Sequence, residues 1–208
     1  MKVFKLSPEN PDIDLINEAI DIMACGGIIL YPTDTVYGLG ANIFNNDAVK
    51  KIYEIKQRDS SKPISVLVRD MESMELIAHL NKNSRQTLNQ WLPGPFTFIL
   101  NKRKIVSPFV SSSTKVGVRI PDYPIARQLA SIFPITTTSA NIAGEDTFSN
   151  PKDILRQIGD EIDLVIDVGE LDKNQASTVI DLSSSNPTLV RKGFIGEDFN
   201  SLKENLDI

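Results

Sequence analysis

The chain has 208 residues, 22 Lys and Arg against 27 Asp and Glu, a formal net charge of −5, and 41% hydrophobic residues. This length allows one large domain with a substantial core, and the acidic balance excludes a generally basic nucleic-acid coat, so any RNA contact has to be local. No apolar run approaches the roughly 18–20 residues a membrane helix needs, the first residues lack the apolar core of a signal peptide, and the single cysteine, Cys25, cannot form an internal disulfide, which fits a reducing cytoplasm.

Along the chain, Leu15, Ile16, Ala19, Ile20 and Met23 form a helical apolar stripe over 12–24 that Gly26 and Gly27 end. Cys25 beside them is expected to pack rather than to act as a nucleophile. A strand is expected over 28–31, then a polar loop to Gly40. Asn46 is placed to cap a helix over 47–56, whose Val49, Ile52, Tyr53 and Ile55 face inward. A strand over 64–68 follows, then helices over 71–79 and 84–91. Pro93-Gly94-Pro95 turns the chain into a strand over 96–100. Residues 102–114, rich in Ser and Lys, read as a mobile loop. In the strand over 116–120, Val116, Val118 and Ile120 share one face and leave Arg119 on the other. Further on come a helix over 124–132, a strand over 135–138 and a helix over 151–158 opening on Pro151. Strands over 164–168, 178–182 and 188–191 precede a short amphipathic tail. The alternation predicts a single α/β domain over residues 1–208, a twisted mixed sheet flanked by helices.

Three polar clusters mark a site. Tyr31–Gly40, YPTDTVYGLG, follows a buried strand, where open α/β folds bind ligands. Lys56, Arg58 and Lys62 gather cations near a helix end. They suit phosphate, with Arg as a forked donor and Lys as a compact charge. The bland alternative is a solvated helix terminus, where cations meet the negative dipole end. Ser139 and Asn141, after the strand ITTT, project a hydroxyl and an amide to the same side, although Ser and Asn also favour plain turns and caps. Arg119 within a sheet face needs an internal carboxylate or an anionic ligand, and Arg191 in TLVRKG poses the same choice. His79, on a helix of Met, Leu and Ile, is the one histidine and reads as a surface residue. With one His and one Cys, zinc sites and Ser-His-Asp or Cys-His machinery are excluded. Neither standard phosphate-loop fingerprint occurs.

PTDTVYGLG, K-x-R followed by KP, PGPFTFIL, VGVRIP, TSAN, STVIDL and LVRKG occur in this order. In that order they resemble the YrdC-domain threonylcarbamoyl-AMP synthases over roughly residues 10 to 195, in a short form without the extra C-terminal domain. The resemblance implies a YrdC-like α/β domain with a deep basic cavity, and a nucleotidyltransferase of the cytoplasm. It would join L-threonine, bicarbonate and ATP into threonylcarbamoyl-adenylate and pyrophosphate, for transfer to tRNA by a downstream modifying complex. It places Thr35, Leu67, Arg119, Ser139 and Ser177 on threonine. Arg58, Lys62, Lys115, Asn141, Ser149 and Arg191 fall on ATP. Lys56, Arg58, Ser139 and Asn141 form the catalytic set, in which Arg119 would neutralise the threonine carboxylate and the cations would offset the charge on departing pyrophosphate. Magnesium is expected to arrive with ATP, with no dedicated protein cage and no organic cofactor. Two departures stand out: Leu67 replaces a histidine common in longer members, and Lys115 stands at a nucleotide position. The opening PENPDIDLINEAIDIM is similar to a paralogous branch that loses parts of the catalytic set, all of which is present here. The rival reading is a double-stranded RNA-binding module of the same fold, for which Lys102-Arg103-Lys104 with Lys115 would be the cationic extension.

Overall fold

In the computed structural model, residues 1–172 and 175–193 are described; the expected C-terminal tail lies outside them. Six helices are present among these residues: α1 (Ile13–Ala24), α2 (Asn46–Ile55), α3 (Met71–Ile77), α4 (Lys82–Trp91), α5 (Pro124–Leu129) and α6 (Pro151–Ile158). Five of them start on an Asp or Asn whose side chain accepts a hydrogen bond from a first-turn N–H: Asp12, Asn45, Asp70, Asn81 and Asn150. These acceptors satisfy donors that the helix itself leaves open. The cap of α2 is therefore Asn45, one residue before the expected Asn46.

The strands are β1 (Lys2–Lys5), β2 (Ile29–Tyr31), β3 (Gly38–Gly40), β4 (Ser65–Leu67), β5 (Ala78–His79), β6 (Phe96–Lys102), β7 (Lys115–Arg119), β8 (Ile135–Ser139), β9 (Leu164–Asp167), β10 (Thr178–Asp181) and β11 (Thr188–Arg191). They join one sheet in the order β1-β9-β2-β3-β8-β4-β7-β6-β10-β11, with β5 added to β6. Pairing is parallel between β1 and β9, β9 and β2, β4 and β7, and β6 and β10, and antiparallel elsewhere. The mixed α/β sheet is as expected.

Side-chain alternation divides the molecule into layers. On one face Phe96, Phe98 and Leu100 of β6 and Val116 and Val118 of β7 join a core with residues of α2, α3, α4 and α6. On the other face Ile29, Tyr31, Leu67, Ile135, Leu164 and Ile166 form a second core with α1 and α5. That second pair of helices covers only part of its face. Beyond it lie Ser65, Thr97 and Thr137, small side chains that line an open site.

Several elements escape local reading. β1 is a short run, KVFK, at the sheet margin, mostly exposed. β3 is hidden by its glycines, which ordinarily weaken strands. Here they admit the Tyr31 ring: a Cβ on Gly40 would sit 2.9 Å from it, and one on Gly38 3.2 Å away. The end of the expected third helix instead extends as β5, pairing Ala78 with Lys102 and the exposed His79 with Asn101. Cys25 is exposed at the end of α1, not packed. The 102–114 segment is anchored rather than loose, since Val106 and Val110 are buried and the Val110 carbonyl accepts from the Ile64 N–H at 2.9 Å.

Candidate functional site

The site rests on a sheet face, not only at strand ends. β7 supplies Arg119, whose Nη1 donates to Thr35 Oγ1 at 3.0 Å and whose Nη2 donates to Asp34 Oδ1 at 2.5 Å. Asp34 and Thr35 belong to the loop between β2 and β3. That loop is tightened by the Thr33 hydroxyl, which donates to the Val36 carbonyl at 2.6 Å and lies 3.0 Å from Thr35 Oγ1. β6 contributes Thr97, whose hydroxyl lies 2.8 Å from that of Ser177. Arg191 of β11 closes this side, donating through Nη2 to the Ser177 carbonyl at 2.8 Å. Gly193 follows, its N–H on Thr178 Oγ1 at 3.1 Å. A Cβ there would collide with the carbonyl oxygens of Ala176 and Ser177, so the last glycine of LVRKG is fixed by close backbone approach.

The K-x-R turn directs its two cations differently. α2 ends with the Arg58 N–H on the Tyr53 carbonyl at 2.9 Å and the Gln57 N–H on the Glu54 carbonyl at 3.0 Å, with Gln57 at φ +48°. This is a helix-terminating motif built on a left-handed residue. It sends Lys56 inward and Arg58 toward the cavity. Lys56 is 1% exposed. Its ammonium donates to the Ser139 carbonyl, to the Asn141 carbonyl at 2.7 Å and to Asn141 Oδ1 at 3.1 Å. Burial, helped by the like charge of Arg58, pushes Lys56 down to about 7. Asn141 is consumed locally as well, with its Oδ1 accepting from Ser139 Oγ at 2.6 Å and its Nδ2 donating to the Glu145 carbonyl at 2.6 Å.

Between these elements lies a cavity of about 110 Å³ lined by Thr33, Thr35, Val36 and Gly38, by Arg58, Arg119 and Arg191, by Ser65, Thr97 and Thr137–Ser139, and by Ala176 and Ser177. The guanidinium groups interact: burial, then the like charges of Arg119 and Arg58, lower Arg191 below the usual arginine range. Arg58 donates through Nη2 to the Pro63 carbonyl at 3.0 Å, but its Nε is buried with no partner among the described residues, as is that of Arg119. A buried unpaired donor is costly unless a ligand fills it, so the geometry suits an anion.

Residues 21–193 match the Sua5/YciO/YrdC family model, described as "Telomere recombination". The chain belongs to the Sua5/YciO/YrdC family. It is 39% identical over 170 residues to a protein of Methanocaldococcus jannaschii named putative threonylcarbamoyl-AMP synthase, covering 82% of this chain and 81% of that one. The crystal structure of Pyrococcus abyssi Sua5 complexed with L-threonine superposes with a TM-score of 0.90 at 30% identity, over 97% of this chain and 61% of that one. Escherichia coli YciO superposes with a TM-score of 0.87 at 32% identity, over 95% of this chain and 98% of that one.

Of the residues that the motifs of this family single out, the cavity brings together Thr35, Arg58, Arg119, Ser139, Ser177 and Arg191. Lys56 and Asn141 stand behind that lining and hold one another. Lys62 is exposed, and its carbonyl accepts from the Tyr53 hydroxyl at 2.9 Å. Lys115 pairs with Asp181 at 2.9 Å, at the opposite end of β7 from Arg119. Ser149 donates to Glu170 Oε1 at 2.7 Å. Leu67 points to the same sheet face as Ser65 but lies one step farther on, wholly buried in the core with Ile125 and Leu129 of α5. Its apolar side chain is absorbed by packing and lines no part of the cavity.

Local reading missed Ser65 and Thr97, and it left unnamed the carboxylate that pairs with Arg119, which is Asp34 of the 31–40 cluster. Thr97 was accessible to pattern reading, because Phe96, Phe98 and Leu100 alternate around it. The other contacts bridge distant segments and leave no local signature.

Proposed function

We propose that this protein is a threonylcarbamoyl-AMP synthase, a nucleotidyltransferase serving tRNA modification. The observation that carries the reading is the convergence of three guanidinium groups with the hydroxyls of Thr35, Ser139 and Ser177 on one polar sheet face. The threonine amine would take up carbon dioxide from bicarbonate, forming an N-carboxylate with loss of water. An oxygen of that carboxylate would attack the α-phosphorus of ATP, and the bond to the β-phosphate bridging oxygen would break to release pyrophosphate. Arg119 would hold the threonine carboxylate, while Arg58 and Arg191 would meet phosphate oxygens, stabilising charge as it shifts toward the leaving group. Lys56 and Asn141 would act by holding the Ser139 loop in place. Val36 supplies an apolar wall suited to a methyl group. Magnesium would be carried on the phosphate oxygens of ATP. The adenylate would pass to a downstream tRNA-modifying transferase complex. The place of action would be the cytoplasm; among the described residues no helix is long and apolar enough to cross a membrane.

The double-stranded RNA reading is less well supported. Three of the four cations of its stripe are engaged internally: the Lys102 ammonium donates to the Ser111 carbonyl, Arg103 Nε to the Ala78 carbonyl at 3.3 Å, and Lys115 to Asp181, while Lys104 is exposed.

Incubating the purified protein with ATP, magnesium, labelled bicarbonate and individual amino acids tests the proposal. Pyrophosphate release should require both L-threonine and bicarbonate and no RNA. L-Serine should be poorer by roughly tenfold to two-hundredfold, the discrimination one methyl group allows. Threonine-independent ATP breakdown as the sole activity would sink the reading.

A further inference from the structure

Asp34 has no part in the reaction as proposed, yet it governs the one arginine on the floor of the site. The side chains of Arg119 and Asp34 are 5% and 9% exposed. Asp34 Oδ1 takes Arg119 Nη2 at 2.5 Å, and Asp34 Oδ2 accepts the Asp122 N–H at 3.2 Å. Thr35 Oγ1 holds Nη1 at 3.0 Å. Both terminal nitrogens of Arg119 are therefore tethered to the β2–β3 loop, and the guanidinium plane cannot turn without breaking two buried contacts. What stays free is the edge carrying Nε, buried and without a partner among the described residues.

We propose that Asp34 is a positioning residue that presents the Nε edge of Arg119 to the substrate and cancels its net charge. This rests on the synthase reading and adds a division of labour to it. Arg119, paired, is a pre-oriented donor set with little net attraction for a polyanion, suited to the single carboxylate of an amino acid. Among the described residues Arg58 has no carboxylate partner and bonds a carbonyl, as does Arg191, so the uncompensated positive charge lies with them. The cavity would thus sort its two anionic ligands: carboxylate to the neutral pair, phosphates to the free arginines. Asp34 itself is not among the residues lining the cavity, which separates its role from direct contact.

The two effects of Asp34 predict opposite signs. Removing its charge should disorder Arg119 and weaken threonine, while making the cavity more positive and favouring pyrophosphate. We would measure L-threonine and inorganic pyrophosphate binding separately by calorimetry, at low ionic strength, on wild type, Asp34→Asn and Asp34→Ala. Thermal unfolding without ligand would run alongside. The expected result is threonine weakened at least tenfold, with pyrophosphate bound as tightly as by wild type or several-fold more tightly. Loss of melting temperature is expected either way, because an unpaired buried charge remains. The direction of the pyrophosphate change is therefore what discriminates. Threonine affinity within twofold of wild type would overturn the proposal, as would parallel weakening of both ligands. Asp34→Asn keeps the shape and one acceptor oxygen, so it decides if Asp34→Ala fails to fold. Wild-type protein that binds pyrophosphate but no threonine would instead count against the synthase reading, leaving the charge role of Asp34 to be judged on pyrophosphate alone.

Discussion

Lys56 is pulled two ways. Its ammonium meets three oxygen acceptors, which favours the charged form, but burial and then Arg58 push its pKa from 10.5 down to about 7. The sign of the linkage follows from proton counts. Between pH 7 and about 10.5 the unfolded chain holds a proton at this lysine that the native state has largely lost, so native stability rises with pH by up to about 1.4 kcal/mol per unit. Below pH 7 both states are protonated and the contribution is level. Against Lys56→Met, which removes the titration, wild type should gain about 1–2 kcal/mol between pH 7 and 8.5, measured by urea unfolding at each pH. A flat difference would mean that the three acceptors hold the charge throughout. The same residue shows the limit of motif reading. K-x-R marks both cations equally, but only Arg58 lines the cavity, because the helix end turns between them.

That turn is a property of the element. α2 closes through Gln57 at φ +48°, a position where glycine is the usual occupant because a Cβ crowds the adjacent carbonyl. Gln57→Gly should relieve strain of roughly 1–2 kcal/mol while giving back part of it through the freer unfolded chain. The net expectation is stabilisation of up to about 1 kcal/mol with the positions of Lys56 and Arg58 kept. Chemical denaturation reads the first and pyrophosphate release the second. A destabilised variant with intact activity would show that the Gln57 side chain contributes contacts that outweigh the strain. Elsewhere the elements follow local rules closely, as in α6, which begins on Asn150-Pro151 and ends at Gly159 with φ +81°. β3 does not, since its two glycines are explained by the Tyr31 ring against Gly38 and Gly40 and by Ile29 beside Gly40.

At the scale of the whole molecule, the sheet has one face closed by helices and another only partly closed, and adjacent residues report on different layers. Phe98 is fully buried in the core with α2, α3, α4 and α6, whereas Thr97, its neighbour, faces the cavity beside Ser177. Phe98→Ala should cost about 3–5 kcal/mol of stability. Thr97→Val should cost about 1 kcal/mol through the lost hydroxyl contact, and its main effect should be a raised KM for threonine. Equal effects of the two changes on stability and on KM would contradict this layering. The α/β class, the span of most helices and strands, and the polar clusters at 31–40, 56–62 and 138–141 were legible in the sequence, because periodicity, Asx caps and Pro-Gly turns act within a few residues. Which of those polar side chains share a cavity was decided only by the tertiary structure. Arg119 of β7 meets Asp34 in the loop between β2 and β3, Arg191 of β11 meets Ser177 just before β10, and Lys56 at the end of α2 meets Asn141 just after β8, joining residues 85, 14 and 85 positions apart in the chain. The same strand order buries Leu67 under α5 and ties Lys115 to Asp181. Long-range register sets these contacts, and it depends on how whole faces pack, so no local pattern encodes it.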